Sequence, residues 1–332
     1  MRFNFSYKKN TWIRLAILGT IAVVLIVLAA TRKPKPPEID EVKGNIPTVQ
    51  QVSGILRINV YSHDQNKMVL MNMDDYVVGC LAAEMPASFE MEALKAQAVA
   101  IRTLAYRAMG QKSACHGADV CDDSTHCQGY ASVDERKGMW GSSFEKWQQR
   151  LEEAVYDTNN IIITYEDRPI EVFYHASSDG LTEDSIHVFS AQQPYLVAVS
   201  SPDEGISTET KVYTAYSFTQ LINAAFKSAK LKENELMDQV VIRTRYASGR
   251  VESIKLGGAI VTGVDVRRAL NLQSADFSIV ISGDQVTVTT KGFGHGVGMS
   301  QRGANAMAKN GAKFGDILVH YFQGVELSKI KG

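Results

Sequence analysis

The apolar and polar positions divide the chain into an apolar run near its start, a proline-rich segment and a long region of mixed texture. No charged residue interrupts Leu15–Ala30, and Trp12 and Ile13 extend this run towards the N-terminus. A hydrocarbon core of about 30 Å requires roughly 17–25 helical residues. The run therefore predicts a transmembrane anchor over residues 12–30, with residues 1–11 in the cytoplasm.

A cleaved signal peptide is the alternative interpretation of this run, because the small residues Ala29 and Ala30 would suit a cleavage site. Basic residues are more numerous before the run than after it, which favours a cytoplasmic N-terminus and an extracytoplasmic remainder. Four of the eight prolines fall within residues 31–52, among charged residues. This segment is predicted to be an extended stalk.

The folded part is predicted to begin at residue 53. Alternating apolar and polar residues over Ile55–Tyr61, followed by Val69–Met71, predict a β-hairpin. Over Phe89–Met109 the apolar residues recur at steps of four and three, which predicts a long helix with one buried stripe. Pro86 and Ser88 indicate where this helix starts.

Further elements follow from the same kinds of pattern. A helix is predicted around Phe144–Val155, and the runs Ile161–Tyr165 and Ile170–Tyr174 predict a second hairpin. A helix near Phe218–Ala229 and strand pairs over residues 240–256 and 277–290 predict a second module. The predicted fold class is α+β, with mixed β-sheets around a long central helix and modules at residues 53–203 and 204–332.

Composition and charge narrow the classes of function. The chain is 45% hydrophobic and 21% charged, which is typical of a packed globular protein. Its formal charge is −1, and the first thirty residues carry four basic side chains and no acid, so the remainder is mildly acidic. Nucleic-acid binding requires a clustered Lys/Arg face, and no such run occurs in the body. We therefore exclude nucleic acid as a partner.

One carboxylate lies among apolar neighbours, in the segment Leu81–Pro86 just before the predicted long helix. Desolvation raises the pKa of a carboxyl group in such surroundings. Glu84 is therefore a candidate to hold a proton near neutral pH and deliver it to a leaving oxygen. A capping or surface glutamate is the structural alternative. Glu90 and Glu92 are expected on the first helical turn, facing solvent.

Three cysteines and two histidines fall within thirteen residues of a polar loop: Cys115, His116, Cys121, His126 and Cys127. Three thiols and one imidazole match a closed tetrahedral zinc site, and a bound metal stabilises a loop of low apolar content. The preferred ligands are Cys115, Cys121, His126 and Cys127, with His116 as the alternative imidazole. A structural zinc ion is the predicted cofactor, and a disulfide is the alternative.

Two further segments are rich in residues of the kind that bind ligands. A predicted strand ends in a polar loop containing Ser177, Ser178 and Thr182, and such loops collect binding groups. Near the C-terminus, glycines surround His295 and precede Gln301, and glycines let backbone approach a ligand closely. These five residues are the candidate substrate-binding groups. Neither segment contains the G-x-S-x-G motif of serine hydrolases or a glycine-rich nucleotide-binding motif.

The order of these segments resembles the stage II sporulation protein D family of endospore-forming bacteria, from about residue 75 to residue 324. Glu84–Pro86 followed by Glu92–Thr103 carries the resemblance, together with Gly294–Gln301. Arg302 departs from the family pattern, because many relatives have an aromatic residue there. A stacking contact between that position and a sugar is therefore not expected.

The resemblance implies a lytic transglycosylase that cleaves peptidoglycan between N-acetylmuramic acid and N-acetylglucosamine, on glycan strands stripped of stem peptides. Glu84 falls on the family's catalytic glutamate, and Cys121, His126 and Cys127 fall on its metal loop. Cys115 stands where some relatives have histidine. Residues 53–203 would be the catalytic module, and the second module would complete the glycan-binding cleft. The implied setting is the mother-cell membrane facing the forespore during engulfment, with a membrane protein and an amidase of the same stage as partners.

In the expected reaction, protonated Glu84 gives its proton to the glycosidic oxygen. As carboxylate it then takes the proton of the muramic acid C6 hydroxyl while that oxygen closes on C1, which leaves a 1,6-anhydro sugar. Asp179 or Glu183 as a second carboxylate would instead give ordinary hydrolysis. Two different functions stay open: a glycan-binding scaffold, in which Glu84 would be exposed and dispensable, and a zinc-dependent amidase.

Overall fold

The computed structural model describes residues 56–330, except 112–114, 190, 202–204 and 206. The predicted cytoplasmic segment, anchor and stalk at residues 1–52 lie outside these described residues. Among the residues that are described, no helix is long and apolar enough to cross a membrane.

Short strands and helices alternate along the described chain, which is α+β with several small sheets, as predicted. The strands are β1 (Arg57–Ser62), β2 (Lys67–Asn72), β3 (Val120–Cys121), β4 (Ile161–Tyr165), β5 (Arg168–Pro169), β6 (Tyr174–His175), β7 (Thr208–Thr214), β8 (Val240–Arg245), β9 (Val251–Leu256), β10 (Ala259–Val261), β11 (Phe277–Ser282), β12 (Gln285–Lys291), β13 (Met299–Ser300) and β14 (Glu326–Lys329). The helices are α1 (Met73–Glu84), α2 (Met91–Ala108), α3 (Val133–Trp140), α4 (Phe144–Asp157), α5 (Ser185–Phe189), α6 (Ala215–Ala225), α7 (Leu236–Gln239), α8 (Gly263–Ala269), α9 (Gln301–Lys309) and α10 (Phe314–Tyr321). Single 3₁₀ turns lie at Gly141–Ser143 and Glu233–Glu235.

The predicted long helix is present as α2 and lies at the centre of the first hydrophobic core, against α1, α4, α9, α10 and β4. It begins later than Pro86 and Ser88 indicated, because Glu90 is the N-cap residue and its side chain makes no capping hydrogen bond. Glu92 does not simply face solvent. Its Oε2 accepts a hydrogen bond from the Phe314 N–H at 2.9 Å, which ties the start of α10 to α2.

The helix α1 is not predicted by the hydrophobic pattern. Its residues from Tyr76 to Leu81 are buried without interruption, so no polar positions mark the helical period. Glu84 is therefore the last residue of a helix and does not lie in the loop before α2. Met85 follows it with extended backbone and ends the helix.

The first predicted hairpin is present as β1 and β2, and β3 joins β1 in parallel with Tyr61 opposite Cys121. The second hairpin is shorter than predicted, because residues 170–173 form no strand and β4 pairs with β5 and β14 instead. The strand β6 pairs in parallel with β13, so that Tyr174 lies opposite Met299 and His175 opposite Ser300. This pairing joins the polar loop after β6 to the glycine-rich segment before β13.

A second hydrophobic core is built by the sheets β11–β12–β7 and β10–β9–β8 with helices α6 and α8. Phe218 and Ile222 on α6 are fully buried against Leu256, Val286 and Val288 of the sheets. The strand pairs predicted over residues 240–256 and 277–290 are present in these sheets. The C-terminal helices α9 and α10 pack in the first core.

Candidate active site

A cleft of about 520 Å³ brings residues of all four predicted segments together. Its walls include Glu84 at the end of α1, His126 and Cys127 of the cysteine loop, Tyr174 on β6 and His295 in the glycine-rich segment. These residues are far apart in the sequence, so the cleft depends on the packing of α1 and on the pairing of β6 with β13.

The Glu84 carboxyl is held at one oxygen. The Gly129 N–H donates a hydrogen bond to Oε1 at 2.8 Å, whereas Oε2 makes no hydrogen bond within the described part of the chain. Glycine at position 129 permits this approach, because a Cβ atom there would lie 3.1 Å from Oε1 and 3.3 Å from the Ala83 Cβ. Because Oε1 accepts this hydrogen bond, Oε2 is the oxygen favoured to carry the proton of the acid form.

Burial raises the pKa of the Glu84 carboxyl above its ordinary value, and the hydrogen bond from Gly129 partly opposes this rise. The acid form is therefore more populated near neutral pH than it is for an exposed glutamate. The opposing hydrogen bond also stabilises the carboxylate once the proton has left. A carboxyl group that is both partly buried and hydrogen-bonded in this way is suited to give a proton and then to take one back.

A line of side-chain hydrogen bonds joins Tyr174, which lines the cleft, to Gln128 and Tyr76. The Tyr174 hydroxyl donates to Gln128 Oε1 at 2.9 Å, and Gln128 Nε2 donates to the Tyr76 hydroxyl at 3.4 Å. Burial and the charge of Glu84 raise the pKa of Tyr174, which keeps its hydroxyl protonated. Sequence reasoning missed Tyr174 and Gln128. The position of Gln128 directly after the cysteine loop was the available signal.

The four preferred metal ligands meet in space. The ligand atoms of Cys115, Cys121, His126 and Cys127 lie within 4.8 Å of one another. Cys115 Sγ is 3.1 Å from His126 Nδ1 and 3.3 Å from Cys127 Sγ, and Cys121 Sγ is 3.5 Å from the same nitrogen. A tetrahedral zinc site with Zn–S bonds of about 2.3 Å separates its sulfurs by about 3.8 Å. The donor set and its spacing fit zinc, whereas a disulfide requires sulfurs about 2.05 Å apart.

Local hydrogen bonds shape this loop. The backbone N–H groups of His126 and Cys127 donate to the Asp123 carbonyl, and the Asp123 side chain accepts from Thr125, which forms a tight turn. The turn places both side chains close to Cys121 on β3. His116, the alternative imidazole, lies outside the cluster and stacks on the Tyr61 ring at 4.1 Å.

The five binding candidates divide into two groups. His295 lines the cleft, and its Nδ1 accepts a hydrogen bond from the Val297 N–H at 3.0 Å. Burial and the guanidinium groups of Arg267 and Arg250 lower the pKa of His295 to about 4, so its ring is neutral at neutral pH. The other four candidates are buried and do not line the cleft; they are Ser177, Ser178, Thr182 and Gln301.

Internal contacts account for two of these buried candidates. The Ser178 hydroxyl lies 2.8 Å from His175 Nε2, and the Thr182 hydroxyl bonds to the Val199 backbone. These contacts hold the loop after β6 within the fold.

The carboxylates considered as second catalytic groups lie elsewhere. Asp179 pairs with Lys291 at 3.0 Å, and Glu183 is buried, with His187 Nδ1 at 2.8 Å from its Oε1. Neither lines the cleft. Glu171 does line it, and its Oε2 accepts a hydrogen bond from the Gln193 amide at 3.2 Å. The hydrophobic pattern identified Glu171 only as a residue within a predicted strand.

Comparison with known proteins identifies the family of this chain. A family model described as "Stage II sporulation protein" matches residues 61–165. Stage II sporulation protein D of Bacillus subtilis (strain 168) is 38% identical, over 82% of this chain and 79% of its own length. The protein of the same name from Bacillus amyloliquefaciens is 36% identical, over 88% of this chain and 83% of its own length. A protein named amidase enhancer from Bacillus subtilis (strain 168) is 27% identical over 75% of this chain but only 40% of its own length. The chain belongs to the stage II sporulation protein D family.

Proposed function

We propose that this member of a sporulation family is a lytic transglycosylase. Its substrate would be peptide-free peptidoglycan, cut between N-acetylmuramic acid and N-acetylglucosamine during engulfment. The observation that carries the proposal is the Glu84 carboxyl, which is partly buried in an open cleft, has a raised pKa and keeps Oε2 unbonded within the described residues. The family resemblance of the surrounding segments supports the choice of substrate.

In the proposed mechanism Glu84 acts twice. The proton on Oε2 passes to the glycosidic oxygen as the bond from that oxygen to C1 breaks. The carboxylate, stabilised by the Gly129 N–H, then takes the proton of the C6 hydroxyl while O6 bonds to C1. One carboxylate suffices, because the nucleophile belongs to the substrate. A 1,6-anhydro end and a free hydroxyl on the departing sugar are the products.

We also propose that Cys115, Cys121, His126 and Cys127 hold a structural zinc ion. With four protein ligands the ion has no open position, so its contribution would be to cross-link the loop. The ligands His126 and Cys127 directly precede Gln128 and Gly129, which bond to Tyr174 and Glu84. An ordered loop would therefore position the catalytic carboxyl.

The proposed setting is the mother-cell membrane, with a single N-terminal anchor and the described residues on the extracytoplasmic side facing the forespore. Proposed partners are an amidase and a membrane protein of the same engulfment complex. The name of the amidase enhancer relative supports coupling to an amidase, which would strip stem peptides and so supply the denuded strands.

The test is a comparison of binding with cutting. The full chain and its Glu84→Gln variant are incubated with peptide-free glycan strands, and bound and released sugar are measured separately. We expect both proteins to bind and only the unaltered chain to release soluble fragments. If both proteins bind glycan and neither releases fragments, the protein is a glycan-binding scaffold and not an enzyme.

Substitution of Gly129 by alanine is expected to reduce cleavage by about 10²-fold, because the added Cβ displaces the carboxyl oxygen that it would approach. The matched control is Gly138→Ala on α3, where a Cβ atom meets nothing within 4 Å. Cleavage rate and melting temperature are measured for both variants. Equal rates in the two folded variants would show that the Gly129 contact does not position Glu84.

Glu84→Gln is expected to raise the melting temperature at about pH 8 and to leave it unchanged at about pH 4. Burial raises the folded-state pKa of Glu84 above its unfolded value, so its stabilising contribution is complete below the unfolded pKa and is lost as pH rises through the folded pKa. Glutamine cannot ionise and avoids that loss. The exposed Glu153→Gln serves as control, and an equal shift at both pH values would contradict the argument.

A further inference from the structure

A second cleft, of about 430 Å³, lies apart from the Glu84 cleft and has no part in the proposed reaction. Its charged lining residues are Asp179, Arg245, Asp276 and Lys291. They come from the loop after β6 and from strands β8, β11 and β12, or next to them. The cleft therefore belongs to the fold and not to one loop.

The two cations in this cleft each contact partners within the fold. Arg245 donates through Nη1 to the Gly249 carbonyl at 2.6 Å and through Nη2 to the Phe277 carbonyl at 2.8 Å. Lys291 Nζ lies 3.0 Å from Asp179 Oδ2, and Arg245 Nη1 lies 3.5 Å from Asp276 Oδ1. Each cation is paired with an acid, so the lining has no net formal charge but presents both donors and acceptors.

Asp276 keeps hydrogen-bonding capacity for a ligand. Its side chain is only 13% exposed, and its Oδ2 accepts no hydrogen bond from the described residues. The hydroxyls of Ser278 and Thr289 lie on the same cleft wall. Donors and acceptors with balanced charge suit a neutral, polyhydroxylated unit, which in a peptide-free strand is N-acetylglucosamine, because each muramic acid unit carries a free carboxylate.

One short segment of the chain contributes a lining residue to each cleft. Lys291 lines the second cleft and His295 lines the Glu84 cleft, so their Cα atoms are at most about 14 Å apart. Phe293 lies midway and is 48% exposed. The backbone of this segment packs closely against β6. Gly294 has φ +112°, and a Cβ atom at this position would lie 2.7 Å from the His175 Cβ.

We propose that the second cleft is a distal subsite for the glycan strand whose cleavage occurs at Glu84. A sugar unit would bind among Asp276, Arg245 and Lys291, and the Phe293 ring would provide an apolar surface for the sugar between the two clefts. The identity of the polymer rests on the proposed function. The subsite gives the protein a preference for strands long enough to span both clefts.

The test uses the full chain carrying Glu84→Gln, so that bound strands are not cut. Dissociation constants are measured for long peptide-free strands and for a disaccharide, which is too short to reach both clefts. Ser278→Trp fills the second cleft from an exposed strand position, and Phe293→Ala removes the intervening ring. Ser282→Trp is the matched control, because it lies on the exposed face of the same strand but does not line the cleft.

We expect Ser278→Trp and Phe293→Ala to weaken binding of long strands by about tenfold. Their affinity for the disaccharide should change by less than about twofold, and Ser282→Trp should match the parent protein for both ligands. Equal losses for the two ligands, or no loss for long strands, would overturn the subsite. Length-dependent binding by a protein that cuts no glycan would support the subsite and contradict the transglycosylase proposal. Cutting without this length dependence would support the transglycosylase proposal and contradict the subsite.

Discussion

Glu84→Gln should lower the rate of glycan cleavage by about 10³-fold, which lies within the range for loss of a general acid–base group. Glutamine preserves the shape of the side chain and can still accept the hydrogen bond from Gly129. It cannot give a proton to the glycosidic oxygen. We therefore expect the turnover number to fall while the dissociation constant for glycan stays within about threefold. Turnover is measured from soluble fragments released from peptide-free strands.

The matched control for this prediction is Glu171→Gln. Glu171 is a carboxylate in the same cleft, but its Oε2 is occupied by the Gln193 amide. If one carboxylate carries the reaction, this variant should lose less than about tenfold of the rate. A loss as large as that of Glu84→Gln would indicate a pair of carboxylates and hence a hydrolytic mechanism.

Removal of the proposed zinc ion should have the largest effect on stability. An ion present at a thousand times its dissociation constant stabilises the fold by about 4 kcal/mol, which corresponds to about 10 °C in melting temperature. A chelator should remove this contribution. Cleavage should be lost as well, because the loop that carries Gly129 would no longer be held against α1.

The two histidines of the cysteine loop provide a matched pair for this test. His126→Ala removes a ring from the thiol cluster, whereas His116→Ala removes one that stacks on Tyr61. We expect one zinc ion per chain in the unaltered protein and in His116→Ala, measured by metal analysis, and much less in His126→Ala. Equal metal content in both variants, or a melting temperature insensitive to chelator, would contradict the zinc site.

The elements that the sequence predicted are those determined by local patterns. The α2 helix has one buried stripe, and the β1–β2 and β11–β12 hairpins have alternating residues and short turns. The cluster of proposed metal ligands could also be predicted from the sequence, because their spacing within one loop is a local signal. In contrast, α1 is buried over consecutive residues from Tyr76 to Leu81, so its period is hidden.

The composition of the cleft depends on contacts between distant segments. Glu84 and Gly129 come together only because the segment after the cysteine loop packs along α1, where the Ala131 N–H donates to the Gly79 carbonyl. The sequence does not indicate which of the polar residues after β6 are buried. Ser178 and Thr182 bond inside the fold, while Tyr174 and Glu171, which the pattern assigned to a strand, reach the cleft. Parallel pairing of β6 with β13 is a long-range event that the local pattern does not encode.

In the proposed reaction the substrate's own C6 hydroxyl displaces the leaving sugar at C1, with Glu84 as the acid and the base. The most direct measurement is the mass of the fragments released from peptide-free strands in water enriched with oxygen-18. We expect 1,6-anhydro ends that contain no oxygen-18. Newly formed reducing ends that carry one oxygen-18 atom, in place of the anhydro ends, would show that water is the nucleophile and would overturn the proposed mechanism.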